Sequence, residues 1–404
     1  MTADLTHAPS HLQPVRKHPL QHIRALLSSK QFWGILLTLT VLSQLLAQSR
    51  LADGLRGASL DTAARFGTAP SELSDIIVVE IDDETYQTQF DKQLPLNRER
   101  LSTLINHLQE AGAAVIGFDM ESAGPLPVSG AANVVWAAGL RRTDRNTSNL
   151  HAFSGTHFGV ARVLRGRDGI VRRYALSTEV DGQSYPTLTA QMARQACLRQ
   201  PDRWPACTGA FVQSEIELRA HQDHALIRFA PNPQAIPHVP GAYILDVGAS
   251  TGWRSSNFFR DKLVLIGGTW SESRDEHVTP MGVQFGVYVQ AQSIATALGG
   301  GGLQEPAGYL LFGVKLIAGV LVGILAAVLS SRWSVFLHLI IVPVCAIAFA
   351  VAAVSVNYWI DFIPVLMSGF IHQWFHDVSA HGADAEDSRP PLDVAPPQTS
   401  SSPS

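Results

Sequence analysis

Apolar stretches near both ends of the chain constrain its fold more than any other feature. They fall at residues 32–49, 306–330, 333–356 and 358–375, whereas residues 50–305 contain no comparable run. A helix of about 20 apolar residues is long enough to cross the hydrocarbon core of a bilayer. Only 16% of the residues are charged, against roughly 25% in ordinary soluble proteins, which agrees with part of the chain lying in lipid. The sequence therefore predicts one transmembrane helix before residues 50–305 and about three after them.

Charges before the first apolar stretch indicate how the chain is oriented. Four basic residues precede it, namely Arg16, Lys17, Arg24 and Lys30. Positive charge favours the cytoplasmic side, so residues 1–31 are expected to form a cytoplasmic tail and residues 50–305 to lie on the outer side. Residues 376–404 are rich in Pro and Ser and lack apolar periodicity, which predicts a disordered cytoplasmic tail.

Two of these stretches leave alternatives open. Residues 47–49 read Ala-Gln-Ser and loosely resemble a signal-peptide cleavage site, so the first stretch is either a cleaved signal peptide or, as we expect, an uncleaved anchor. In the last stretch, Asp361, Pro364 and His372 interrupt the apolar run. That stretch either spans the bilayer or lies in its interface, which would leave the C-terminus outside.

Charge and cysteine content exclude some function classes. The net charge of -4 lacks the basic excess that binds a phosphate backbone, so nucleic acid is not an expected partner. Three cysteines are too few for a disulfide scaffold or a thiolate metal cluster. Cys197 and Cys207 lie close together in the outer segment, and the oxidising side of a bacterial inner membrane would allow a bridge between them. Cys345 lies within an apolar stretch and is expected to be a packing residue.

The outer segment has the pattern of an α/β domain. Residues 76–82, 114–120 and 262–268 are continuous apolar runs, which is typical of strands buried on both faces of a parallel sheet. Between the first two, Asn97 can cap a helix that reaches Ala111, so this part predicts a right-handed βαβ unit.

Further elements follow along the segment. Residues 158–164 and 170–176 flank a turn with the Asp168-Gly169 pair, which predicts an antiparallel ribbon that joins the sheet. A short helix at 186–196, a strand at 225–230 and a closing helix over 287–298 complete the prediction. The predicted fold is an extracytoplasmic α/β domain with a mixed, mainly parallel sheet, flanked by transmembrane helices.

The order of several short motifs resembles the second type of CHASE domain, the extracellular sensory domain of cyclases and histidine kinases. These motifs are IVVEIDDETY, PLNRERLSTLINHLQEAGAAVIGFDM, DGIVRRY, PTLTAQMA, KLVLIGGT, DEHVTP and GVYVQAQSI. The likeness covers essentially all of residues 50–305, and one span before with three after also matches the family. The resemblance implies a sensor in the bacterial inner membrane with its large domain in the periplasm.

Two departures from the family pattern affect what the resemblance implies. Where the family often carries Trp-Pro-Trp-Pro-Arg, residues 94–98 read Leu-Pro-Leu-Asn-Arg and lack both aromatic rings. The family usually continues into a cyclase, kinase or related output domain, whereas a short tail follows the last apolar stretch here. The resemblance therefore implies a separate output protein as partner.

Carboxylates near the ends of the predicted strands are candidate ligand-binding residues. Open α/β sheets bind ligands outside the carboxyl ends of their strands. The candidates there are Glu80, Asp82, Asp83 and Asp119, together with Arg98, Asp275 and Thr279, of which Asp275 and Thr279 align with Asp and Thr-Pro positions of the family. The alternative is that they cap helices, pair with basic residues or satisfy the backbone of their own loops. No metal and no cofactor is predicted.

Three functions remain at this stage. The favoured one is a membrane-anchored periplasmic sensor, acting alone or as a homodimer, that detects a small molecule or protein and signals to a separate partner. The second is a non-signalling scaffold that holds an envelope protein. The third is a periplasmic hydrolase: residues 248–252 fit G-x-S-x-G with His277 downstream, although no strong strand precedes Ser250 and no clear helix follows it. His221 and His224 are spaced like metal ligands, but an exposed polar loop explains them more simply.

Overall fold

The computed structural model describes most of the outer segment. Its continuous parts are residues 50–120, 125–128, 131–139, 155–208, 225–232, 236–250, 252–253 and 257–300, with single residues at 153 and 302 and scattered ones over 28–41 and 309–344. The chain divides into two compact units, and the unit that includes Gly54–Pro306 contains nearly all of these residues. Among the described residues, no helix combines the length and apolar character needed to cross a bilayer. The four stretches expected to span it lie mostly outside the described residues, as does Cys345.

Thirteen short strands occur in the described residues. They are β1 Ile76–Ile81, β2 Val115–Asp119, β3 Val134–Ala138, β4 His157–Val160, β5 Leu164–Arg165, β6 Val171–Tyr174, β7 Ser177–Val180, β8 Gln183–Pro186, β9 Ala225–Leu226, β10 His238–Pro240, β11 Leu263–Gly268, β12 Glu276–Thr279 and β13 Gly282–Phe285. The α-helices are α1 Arg50–Phe66, α2 Asp83–Phe90, α3 Arg98–Glu110, α4 Leu188–Arg199, α5 Gly241–Val247 and α6 Gly286–Leu298.

Six of the strands form one parallel sheet in the order β10-β1-β11-β2-β3-β4. Its faces are covered by different helices because residues alternate along each strand. Ile76 and Val78 of β1 join a core with α4 and α6, whereas Ile77, Val79 and Ile81 join a second core with α2, α3 and α5. The domain is therefore a three-layer α/β/α sandwich, which is the arrangement that buries a parallel sheet on both faces.

The long apolar runs are the best-predicted elements. The runs at 76–82, 114–120 and 262–268 contain β1, β2 and β11, so these three strands are confirmed. The helix capped by Asn97 is confirmed as α3, since the Asn97 side chain accepts hydrogen bonds from the amides of Glu99 and Arg100. The closing helix is confirmed as α6.

Other elements differ from the prediction. Strand β4 pairs in parallel with β3, whereas β5 and β6 form the hairpin, and β6 also pairs with β9 in a separate three-stranded sheet. The expected ribbon therefore does not join the main sheet. The helix expected at 186–196 begins at Leu188 because Thr187 caps it, with its side chain accepting from the amide of Ala190. The strand expected at 225–230 is shortened to β9.

A disulfide joins Cys197 near the end of α4 to Cys207 in the short helix Pro205–Thr208. Both sulfurs are buried in the core that contains α6. The bridge therefore links two elements that pack on the same face of the sheet.

Candidate functional site

A cavity of about 1400 Å³ lies at the carboxyl ends of β2, β3, β4 and β11. Strand-end residues Asp119, Gly139, Ala161 and Gly268 line it, and the segments that follow β11 and β4 form a polar side. An apolar side comes mainly from α3, β2 and the loops near them, with Leu96, Leu101, Phe118, Leu126 and Phe153. This position, outside the carboxyl ends of parallel strands, is where open α/β sheets hold ligands.

Asp119 ends β2 and borders the cavity. Asp119 is partly buried, and the desolvation of its carboxyl group, with the nearby charge of Asp275, raises the pKa of Asp119 to about 7. Burial favours the neutral form of a carboxyl group, and a second carboxylate favours it further. Near neutral pH, Asp119 can therefore either donate a hydrogen bond as a neutral acid or accept one as a carboxylate.

Three side chains on the polar side are connected by hydrogen bonds. Nε2 of His277, on β12, lies 3.0 Å from Oδ1 of Asp275, and Nδ1 of His277 lies 3.1 Å from Nη2 of Arg165 on β5. Because the guanidinium can only donate, Nδ1 accepts from Arg165 and Nε2–H donates to Asp275. All three residues line the cavity. The network holds Asp275 in place beside Gly286. A Cβ at position 286 would overlap the carboxylate of Asp275.

Three of the seven candidate ligand-binding residues meet at this cavity. Arg98, Asp119 and Asp275 all line it. Arg98, the first residue of α3, donates from Nη2 to the carbonyl of Pro125 at 2.9 Å. Ligand binding by these residues stays a prediction.

The other four candidates make structural contacts. Glu80 accepts a hydrogen bond of 2.6 Å from the Tyr288 hydroxyl; burial, together with this contact, raises the pKa of Tyr288. Asp82 caps α2 by accepting from the amide of Thr85, as the alternative reading of these carboxylates expected. Thr279 closes the turn between β12 and β13 by donating to the carbonyl of Gly282.

Asp83 also has a structural role. It accepts hydrogen bonds from the amide and the hydroxyl of Ser271, at 2.9 Å and 2.8 Å. These two contacts lower the pKa of the Asp83 carboxyl, because they stabilise its ionised form. Asp83 thereby ties the start of α2 to the segment that follows β11.

The other chemical motifs do not form a site in the described residues. Ser250 follows the short helix α5 instead of a buried strand, and its hydroxyl oxygen accepts from the amide of Trp253. A nucleophile elbow requires a strand before the Ser, so this geometry is not present. Within the described residues, no group of three or more potential metal ligands occurs. His221 and His224 lie outside them.

Sequence reasoning missed Arg165, Trp270 and Gln290 as cavity residues. The sequence predicts a hairpin turn at Arg165, and Gln290 lies on α6 among apolar residues. Trp270 lies two residues after the end of β11, and a position near the end of a buried strand is the same signal that marked Asp119. For Arg165 no local pattern gives such a signal, since its partner His277 lies 112 positions further along the chain.

Comparison with known proteins identifies the family. The model of the CHASE2 domain matches residues 34–330, which is well over half of the chain. No curated protein and no solved structure matches the chain. CHASE2 domains are extracellular or periplasmic sensory domains and not catalytic ones. The chain therefore belongs to the CHASE2 domain family.

Proposed function

We propose that this protein is a sensor, anchored in the bacterial inner membrane, whose cavity receives an extracytoplasmic small molecule and which signals to a separate partner protein. The observation that carries the proposal is the cavity at the carboxyl ends of the central strands of a sensory domain. Its apolar side suits the body of a small molecule, and its polar side offers donors and acceptors that fix an orientation.

Several features support the membrane and partner parts of the proposal. Apolar stretches at 32–49, 306–330, 333–356 and 358–375 flank the domain, and basic residues precede the first of them. A signal received outside would then act through the membrane segments on a separate cytoplasmic protein.

Ligand binding can be tested by thermal shift. The full chain, purified in detergent, is screened against small polar metabolites, because a ligand that binds only the folded state raises its melting temperature. A ligand present at 100 times its Kd should contribute about 2.7 kcal/mol of stability. Asp275→Asn should reduce that shift, whereas the control Glu179→Gln, at an exposed position of β7 and outside the cavity, should leave it unchanged. Ala161→Phe, which fills the cavity, is a second variant. If the ligand still raises the melting temperature of both the Asp275→Asn and the Ala161→Phe proteins, binding occurs elsewhere and the proposal is contradicted.

The partner part has its own test. Crosslinking of the full chain in cells, followed by purification, should recover a cytoplasmic kinase, cyclase or regulator. Recovery of envelope proteins alone would contradict signalling and favour the scaffold function.

A further inference from the structure

The hairpin formed by β5 and β6 touches both the cavity and helix α1. Arg165 of β5 lines the cavity and is bound to His277. Arg172 of β6 is bound to Asp61 of α1. Helix α1 begins at Arg50, directly after the first apolar stretch of the sequence. One short element therefore connects the proposed signal site with helix α1.

The contact at the cavity end belongs to a connected network. A ligand group that binds Asp275 or His277 must compete with, or add to, the hydrogen bonds at 3.0 Å and 3.1 Å that hold these residues and Arg165. Since Arg165 carries the positive charge of this network, a change at Asp275 alters the force that holds β5. Strand β6 also packs beside β12, which carries His277.

The contact at the helix end is an ion pair with two hydrogen bonds. Nε of Arg172 lies 2.6 Å from Oδ1 of Asp61, and Nη2 lies 3.0 Å from Oδ2. Asp168, in the hairpin turn, binds the same guanidinium through Nη1 at 2.8 Å and 3.0 Å. The Arg172 side chain is only 10% exposed, so this pair is less screened by solvent than an ordinary surface pair. Gly57, one turn before Asp61, packs against the same guanidinium.

The geometry of the hairpin links its two ends. Arg165 pairs across the ladder with Val171, the residue next to Arg172. The register of this ladder shifts between Leu164 and Arg165, so a bulge or irregularity lies in the hairpin beside Arg172. The hairpin belongs to a three-stranded sheet separate from the six-stranded one, and its ladder is short. Such an element opens or shifts at lower free energy than the central strands do.

The same small sheet also contacts the chain where it leaves the domain. Leu60 of α1 packs against Leu226 of β9. Gly302 lies so close to Leu226 that a Cβ there would overlap its backbone, and the amide of Gly302 donates to the Tyr174 hydroxyl of β6. The glycine-rich segment after α6 is thus tied to the sheet that holds α1.

We infer that the β5–β6 hairpin transmits the occupancy of the cavity to α1, with the Arg165–His277 contact at one end and the Arg172–Asp61 ion pair at the other. This inference rests on the proposed function, because it takes the cavity as the place where the signal arrives. Coupling of this kind is reciprocal, so a change at either end must be felt at the other.

Hydrogen–deuterium exchange on the full chain in detergent micelles tests the inference without a ligand. Arg165→Met should raise amide exchange in residues 57–66 of α1 about fivefold, while β1 and β11 stay protected. The control Arg162→Met removes a nearby arginine that binds Thr178 and does not line the cavity, so it should leave α1 unchanged. Unchanged exchange in α1 of a folded Arg165→Met protein would overturn the inference.

The reverse experiment covers the case in which Arg165→Met disturbs the whole domain. Asp61→Asn should raise amide exchange in β12, where His277 lies. The control Thr62→Ala loses only a bond to the carbonyl of Ala58 in its own helix and should have no effect there. No change in β12 would overturn the inference. Neither exchange experiment uses a ligand, whereas the thermal-shift screen tests ligand binding and therefore the proposed function itself. A failure of the inference can thus be told from a failure of the proposed function.

Discussion

At the scale of single residues, Asp119 makes the stability of the domain depend on pH. Its pKa is about 7 in the folded chain, against 3.8 ordinarily. Between these values the folded chain keeps a proton that the unfolded chain has released, so the free energy of unfolding falls as the pH rises from about 4 to about 7. Above that range the folded chain carries a desolvated carboxylate at its full cost.

Asp119→Asn should remove this dependence, because Asn does not ionise. At pH 8 the variant is expected to be more stable than the parent by roughly 1–3 kcal/mol, and this difference should be smaller at pH 4.5. Melting temperatures of the full chain at the two pH values measure it. The control Asp83→Asn should change stability in the opposite direction. The pKa of Asp83 is lowered in the folded chain, so its ionised carboxylate stabilises the fold at pH 8, and this stabilisation is lost in acid. An equal effect of Asp119→Asn at both pH values would contradict the assignment.

At the scale of elements, the disulfide gives a second prediction. Cys197 and Cys207, ten positions apart, join the end of α4 to the helix Pro205–Thr208, which also packs on α6. The bridge restricts the unfolded chain, so replacing both residues by Ser should lower the free energy of unfolding by about 2–3 kcal/mol. Urea denaturation with and without dithiothreitol measures this. Reductant should destabilise the parent but not the double variant; a parent that is insensitive to reductant would contradict the prediction.

The elements also show how far sequence reasoning reaches. Strands β1 and β11 are buried on both faces, and their continuous apolar runs are easily recognised in the sequence. Strand β3, Val134–Ala138, carries the same signal, although the sequence-based prediction contains no strand there. Strand β10 has three residues, His238–Pro240, and is held by pairing with β1, so its sequence carries no periodicity. Helix α2 was missed because its buried residues are few.

The candidate site was predictable only in part for a related reason. The rule that ligands bind at the carboxyl ends of parallel strands identified Asp119 and, through the following segment, Asp275. The same rule also selected Asp82 and Asp83, which the structure places at the start of α2 as cap and as partner of Ser271. Local sequence does not tell a carboxylate that caps a helix from one that borders a cavity, because both follow a strand directly.

At the scale of the whole molecule, the position of the domain relative to the bilayer is the remaining prediction. A phosphatase reporter that is active only outside the cytoplasm should be active when inserted after Gly182, in the exposed β7–β8 turn, and inactive when fused after Ser404. As a control, the same insertion in a chain that lacks residues 1–49 should be inactive, because we expect the first apolar stretch to direct export. Activity after Ser404 would mean that residues 358–375 lie in the interface instead of spanning. Inactivity after Gly182 in the intact chain would leave the cavity without access to any extracytoplasmic signal, and the sensor function would be wrong.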